Sequence, residues 1–357
     1  MNNKVSLTLF DKNDVSEHIL IGKSVYDSPE VLNHDHILWK HFNNPYGPSL
    51  SANLRDALNN LIGRSFIQPR IFLYNQSNYQ GATITDLVIS PKERNAATLI
   101  SLTRSTLKPP GFDIIIHTSN ESSDLIYRKL FKFPIVFNMT ASALPLRASK
   151  YLKKFNIPAF LVYFIKFIEL MFHIFIYILF MIIGKIANIT IEKAPNSEKI
   201  VDIFQKFNTM AGPHFTRDSE FLDWRFNDGP LFKGRIYWVS VKGKHIGYFV
   251  LKKIDIKDID FLAVMDVIFC RPLTFLEKIG LKLLIARIGI EENSDSIFTL
   301  NNSNNKYLKW LSSFPFVRIP DKFLPHSTPI FTHFSSEVFN CDVLGGTFYT
   351  LADLDYF

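Results

Sequence analysis

Cysteine is nearly absent from the chain: Cys270 and Cys341 are the two in 357 residues. Two thiols cannot build a disulfide framework or a structural zinc site, so a reducing compartment and no bound metal are the expectations. An N-terminal apolar stretch is missing as well. The opening MNNKVSLTLFDKNDV is too polar for a signal peptide, which makes the cytoplasm the expected compartment. There is no arginine-rich arm, no paired Cys/His spacing and no RNA-binding signature, so nucleic acid is not an expected partner.

What is present is apolar and aromatic. Apolar residues make up 47% and charged residues 20%, the balance of a packed globular protein rather than a disordered one. The 34 phenylalanines point to a large aromatic core, an exposed apolar surface, or both. At 357 residues the chain fits two domains comfortably. A net charge of +7, from 40 basic and 33 acidic residues, favours anionic partners such as CoA, nucleotide sugars or phospholipid headgroups without choosing among them.

One phrase is written twice: WKHFNNP at residues 39–45 and WRFNDGP at 224–230. Further anchors follow at matched spacing. Gly63 lies 24 residues after Trp39 and Gly247 lies 23 after Trp224; Asp86 follows Trp39 by 47 and Asp266 follows Trp224 by 42. Asn120 and Asn302 then close each series, 34 and 36 residues beyond their aspartates. The periodicity gives the second copy a helix at VDIFQKFNTM, a hairpin of RIYWVSV and HIGYFVLKKI around Lys-Gly, and a buried strand FLAVMDVIF. A helix LEKIGLKLLIARIGI, a strand SIFTL and a short helix NNKYLKWLSSF complete it. The first copy matches from GATITDLVIS onward, but SLSANLRDALNNLIG reads as a helix or long loop where the second has a clean strand.

These motifs resemble the N-acetyltransferase superfamily called GNAT, specifically double-module members of the envelope and polysaccharide-associated type. In the first half the resemblance rests on WKHFNNPYG, TDLVISPKER and NESSDLIYRKLFKF. In the second it rests on the WRF opening, GYFVLKK and the terminal TLADLDYF. It implies an α+β fold of two GNAT-like (acyl-CoA N-acyltransferase) mixed-sheet modules in tandem, residues 1–145 and 195–357, joined by a long apolar helix within 146–194.

The resemblance also implies chemistry. GNAT proteins hold the acyl-CoA pyrophosphate on backbone N–H groups at a strand-to-helix corner, an anion at a helix N-terminus. The matching cofactor-binding stretch here is Val88 and Ile89 on the strand with Arg94, Asn95, Ala96, Ala97 and Thr98 at the helix start, together with Asn120. Both family glycines are replaced, by Ala97 and by the bulkier Leu99. The second half offers Arg271-Pro272-Leu273-Thr274, where proline has no N–H to give. The alternative for 91–99 is a plain helix start signalled by Ser90 and Pro91. Acyl transfer to an amine needs the amine deprotonated and the thiolate protonated. Tyr127 stands where the family places its thiolate-protonating tyrosine, Asp86 is the candidate base on the central strand, and His117 ends the next strand with a pKa range suited to proton shuttling. Each also has a structural reading: a packed helix tyrosine, a strand-end aspartate held by amides, and a strand-end histidine. For Trp39 and Trp224 the choice is between anchoring a helix end and letting NNPYG line an acceptor pocket.

Between the halves, residues 158–183 read PAFLVYFIKFIELMFHIFIYILFMII, with Arg147, Lys150, Lys153 and Lys154 before and Gly184 and Lys185 after. That is the length of a membrane span, about 20 residues, but Lys166, Glu169 and His173 interrupt it. An interfacial helix at an inner-leaflet surface through 147–185, a helix buried between the halves and a true span all remain open. The expected activity is transfer of an acetyl or longer acyl group from acetyl-CoA or acyl-CoA to a small-molecule or glycan amine, on a sugar or envelope precursor. The alternatives are a non-catalytic GNAT-like scaffold and, third, an aminoacyl-transferring ligase using charged tRNA, which would need a basic groove.

Overall fold

A computed structural model describes residues 4–26, 29–107, 109–119, 124, 126–152, 158–256, 258–320 and 329–354. The chain divides into two compact units. One comprises Met1–Asn138, Gly212–Lys233 and His326–Thr347; the other comprises Met139–Ala211, Gly234–Pro325 and Phe348–Phe357. Neither is contiguous, and each of the sequence halves 1–145 and 195–357 contributes to both.

The first unit is built on a mixed sheet. Its strands are β1 (Lys4–Leu9), β2 (Leu50–Arg55), β3 (Leu61–Tyr74), β4 (Ser77–Ile89), β5 (Ile114–Thr118), β6 (Ile135–Asn138) and β15 (Pro329–Phe334), in the order β1-β2-β3-β4-β5-β15-β6, with the short β9 (His214–Phe215) pairing β3. All neighbours are antiparallel except β4 and β5. Adjacent strand residues point to opposite faces, so Phe66 and Ile67 divide the core. On one face helix α3 (Ala96–Leu107) supplies Leu102 to a cluster with Ala52, Leu54, Ile62 and Ile89. On the other, α1 (Val15–Lys23) and α2 (His34–His41) bring Val15 and Ile37 against Phe10 and Phe66.

The second unit repeats this plan. Its sheet runs β14 (Val317–Arg318), β7 (Thr140–Pro145), β13 (Ser296–Asn301), β12 (Asp260–Phe269), β11 (Lys244–Asp255), β10 (Arg235–Val241), β8 (Ile189–Glu192), and only β12 and β13 are parallel. Helices α4 (Ala159–Ala187), α5 (Ser197–Asn208) and α6 (Phe275–Glu291) belong to it. Read from β1 and from β8, both sheets give three antiparallel pairings, one parallel, then two antiparallel. The sixth place is exchanged: β15 from late in the chain completes the first sheet, and β7 from before α4 completes the second.

The segment SLSANLRDALNNLIG is a hairpin, not a helix or long loop. Asp56 accepts from the amides of Leu58 and Asn60 at 2.9 and 2.8 Å, and Asn59 takes a left-handed φ of 66°, which reverses β2 into β3. Turn chemistry and pairing along both edges of β2 override the helix-forming residues. NNKYLKWLSSF, expected to be helical, is mostly turns with one 3-10 turn at Lys309–Ser312. The mixed-sheet α+β class and the long apolar helix lying between the modules in sequence stand as expected.

Candidate functional site

The first unit's parallel ladder is short. It runs from Gly81–Ile114 to Thr83–Ile116 and stops, although β4 continues to Ile89 and β5 to Thr118. Beyond Thr83 the two strands part. Within the unpaired stretch a bulge sets two residues of β4, Asp86 and Leu87, against Ser65 of β3, and Asp86 adopts a φ of 50°. Aspartate tolerates this left-handed conformation, and a bulge re-aims the side chain that carries it.

Asp86 is turned towards α2. Lys40 Nζ lies 3.1 Å from Oδ1 and 2.9 Å from Oδ2, and His41 Nε2 donates to Oδ2 at 2.7 Å. With Nε2 as donor, His41 Nδ1 is an acceptor, and Ser49 Oγ supplies its proton at 3.1 Å. The imidazole is fully buried, stacked on Phe66 at 3.7 Å. Burial brings its pKa down to about 4, so the Ser49-His41-Asp86 chain holds a neutral ring and an ionised carboxylate. Burial by itself would raise the carboxyl's pKa, but Lys40, His41 and nearby Arg64 outweigh it and hold it well below the carboxylate range. Such a group is a weak base and a strong acceptor. A fifth of its side chain, 21%, is open to a ligand.

At the end of β4, Ser90-Pro91-Lys92-Glu93 makes a 3-10 turn into α3. Asn95 caps the helix, its Oδ1 accepting from Thr98 N at 2.9 Å while its carbonyl takes Leu99 N. The amides of Ala96 and Ala97 have no protein acceptor among the described residues, and both residues are exposed. Arg94 is exposed too; its contact is with the Ile89 carbonyl at 3.4 Å, and no carboxylate pairs with it among the described residues. Leu99 does not block this corner. It packs inward on the Leu54, Ile62 and Leu102 cluster. Val88 and Ile89 are buried strand residues, and Asn120 lies outside the described residues.

Tyr127 and His117 are together, apart from Asp86: their rings are 4.8 Å apart, edge to face, with Phe133 and Phe331 around them. Burial raises the Tyr127 phenol to about 12 and lowers His117 to about 3. Tyr127 is therefore protonated at neutral pH and His117 is neutral, its two ring nitrogens without hydrogen-bond partners among the described residues.

The twin phrases meet within the first unit. Trp39 and Trp224 stack at 5.1 Å, and each indole N–H donates to the other's backbone carbonyl, at 2.7 and 3.0 Å. A cavity of about 330 Å³ beside them is lined by Asp35, Leu38, Asn43, Asp228 and Pro230. Asn44, by contrast, braces the fold through Pro69 O at 2.9 Å. Lys40 and His41 were not singled out as site residues in the sequence, although both sit inside the repeated phrase.

The second unit's corresponding split is closed. Its ladder ends at Val264–Thr299. Asp266 accepts from Thr350 Oγ1 at 2.9 Å and Tyr248 OH at 3.2 Å, and Tyr307 OH donates to the Phe269 carbonyl at 2.7 Å while accepting from the Phe269 amide. At the corner, Arg271 is engaged by both oxygens of Glu277 at 2.8 Å, and Thr274 with Glu277 forms a capping box.

No family model and no curated protein matches the chain. Solved structures do. A GCN5-related N-acetyltransferase from Anabaena variabilis is 13% identical with a TM-score of 0.58, over 92% of this chain and 72% of that one. A Saccharomyces cerevisiae N-myristoyltransferase with bound myristoyl-CoA and inhibitors is 10% identical, also with a TM-score of 0.58, over 94% and 81%. A probable N-acyltransferase from Enterococcus faecalis is 12% identical with a TM-score of 0.51, over 93% and 72%. At these identities the likeness is one of fold, and the fold is that of the GNAT and N-myristoyltransferase acyltransferases.

Proposed function

We propose that the first unit takes an acyl-CoA and transfers its acyl group to an amine. The observation that carries this is the parted β4–β5 edge ending at a helix start where, among the described residues, two amides have no acceptor and an exposed arginine has no carboxylate partner. Arg94 with the Ala96 and Ala97 amides would hold the diphosphate, and the Asn95 cap keeps that turn in place. Val88, Ile89, Thr98 and Asn120 complete the stretch assigned to the co-substrate.

In the transfer the acceptor nitrogen attacks the thioester carbon, the carbon–sulfur bond breaks, and the thiolate takes a proton. Tyr127, protonated across the neutral range, is assigned that donation. Asp86, held ionised by Lys40 and His41, is assigned to receive and orient the acceptor ammonium, which loses its proton to water; the general-base role expected of it is disfavoured by its lowered pKa. His117 positions the Tyr127 ring and is uncharged near pH 7. We keep a sugar or envelope-precursor amine as the first acceptor class to screen. Use of acyl-CoA would put the reaction on the cytosolic side of any membrane.

Calorimetric titration with acetyl-CoA and with myristoyl-CoA tests this. Saturable binding that weakens at least tenfold in Arg94→Ala is expected. No heat at millimolar ligand would replace the enzyme with a non-catalytic binding module.

A further inference from the structure

Among the described residues, half of the large exposed hydrophobics, 14 of 28, lie on the single helix α4. Its apolar stretch Phe160–Ala187 is long and hydrophobic enough to cross a bilayer, with a mean hydropathy of 2.3, yet only 11% of its most apolar window is buried. Two of the three polar residues that interrupt the run, Glu169 and His173, turn to one side. Glu169 accepts from the amide and the hydroxyl of Ser149, and His173 donates to the Leu146 carbonyl at 2.9 Å. That side is a stripe of half-buried or buried residues, Ile165, Glu169, His173, Ile176, Phe180 and Ile183, at helical spacing. It packs antiparallel on α6: Ile183 faces Gly280, Phe180 lies 5.0 Å from the Arg287 guanidinium, and Tyr177 reaches Glu291.

Val162, Phe172, Tyr177, Leu179, Gly184 and Ala187 are also half-buried or buried, and the other positions with described side chains are exposed. At 3.6 residues per turn they sweep about 220° of the helix over a length of about 43 Å. Phe160, Tyr163, Phe164, Phe167, Phe175 and Ile178 are 53–73% exposed. The apolar area is on the order of 1,000 Å², beyond the largest patch of an ordinary monomer. Two charges stand in this arc, Lys166 and Lys185, and no acid does.

We propose that α4 lies along the surface of an anionic lipid bilayer, its exposed arc seated in the headgroup and acyl boundary and its two lysines on the lipid phosphates. A partner helix covers a stripe of about 100° and would leave more than half of this arc in water; a fluid interface covers all of it. A span does not fit, because α4 is packed on α6 from Tyr177 to Ile183 and crossing would carry Arg287 and Glu291 into hydrocarbon. The net charge of +7 acts in the same direction. The inference stands independently of the acyl-transfer reading.

Flotation of the full chain with vesicles of phosphatidylcholine, alone or with one-quarter phosphatidylglycerol, tests it. At least tenfold stronger partition onto the anionic vesicles is expected, with release by carbonate at pH 11. Phe167→Glu with Ile178→Glu should cut partition at least tenfold while circular dichroism and melting temperature stay unchanged. Lys166→Ser with Lys185→Ser should remove the preference for anionic lipid and nothing else. Three results overturn the proposal: no binding to either vesicle, unchanged binding of the double-glutamate variant, or a soluble dimer that the same variant makes monomeric. Retention through carbonate would replace it with a span.

Discussion

In the first unit Arg94 stands at the end of the fourth strand with no carboxylate beside it among the described residues, and the next two helix amides are open. In the second unit Arg271 stands at the equivalent end, but Glu277 from the first turn of the helix grips it with both oxygens and satisfies the N-cap amide as well. The same strand-to-helix corner leaves its arginine without a carboxylate partner among the described residues in one copy and neutralises it with Glu277 in the other. Tyrosines repeat the lesson. Tyr127 sits among aromatic rings with a phenol about 12 in pKa, whereas Tyr307 clamps the backbone of Phe269 across the split. A duplicated fold leaves the β4–β5 split uncrossed by such bonds among the described residues and ties the β12–β13 split with its own side chains.

The comparison breaks most visibly in turnover. Tyr127→Phe should lower kcat by about 100-fold with donor affinity kept, while Tyr307→Phe should leave kcat unchanged and lower the melting temperature by a few degrees. Steady-state kinetics beside a thermal melt decides it. Next in size, Arg94→Ala should weaken donor binding by about 10- to 30-fold, the worth of a charge-assisted contact, and Arg271→Ala should not alter it. Asp86→Asn should raise the acceptor KM about tenfold with a smaller change in kcat, since an orienting carboxylate is lost but not the proton donor; a kcat collapse at constant KM would restore the base role.

The smallest effect sharpens the closed corner. Arg271 first, then the Thr274 amide, hold Glu277 down to about 2 from 4.5. A depressed folded-state pKa contributes stability above pH 4.5 that disappears as pH falls towards 2. With its side chain 8% exposed but close to solvent, Glu277→Gln should cost on the order of 1 kcal/mol at pH 7. The stability difference between the two proteins should narrow below pH 4.5 and close near pH 2. Urea titrations of both proteins at pH 7, pH 4 and pH 2 check this.

Much of this plan was legible in the sequence because it is local or repeated. The glycines at 63 and 247 fall on β3 and β11 and the aspartates at 86 and 266 on β4 and β12, equivalent strands of the two sheets, while the Trp39 and Trp224 phrases meet within the first unit; the helix after each fourth strand follows from its periodicity. The exchange of β7 and β15 was not legible, since strand pairing across 151 to 220 residues leaves no local mark. Residues 50–55 misled because Leu, Arg, Ala and Asn favour helix or turn until two neighbouring strands pair with them. Lys40 and His41 escaped notice because their partner Asp86 is about 45 residues away and the bulge that aims it appears only in three dimensions. The orientation of Glu169 and His173 was hidden for a similar reason: the run shows where polar residues fall, not that Ser149 and Leu146 receive them.

Amide hydrogen exchange with and without myristoyl-CoA addresses the asymmetry of the two corners directly. The amides of residues 94–99 should gain protection on ligand addition while those of 271–277 keep the exchange they already have. Protection gained at 271–277 with none at 94–99 would contradict the assignment of the donor site to the first unit.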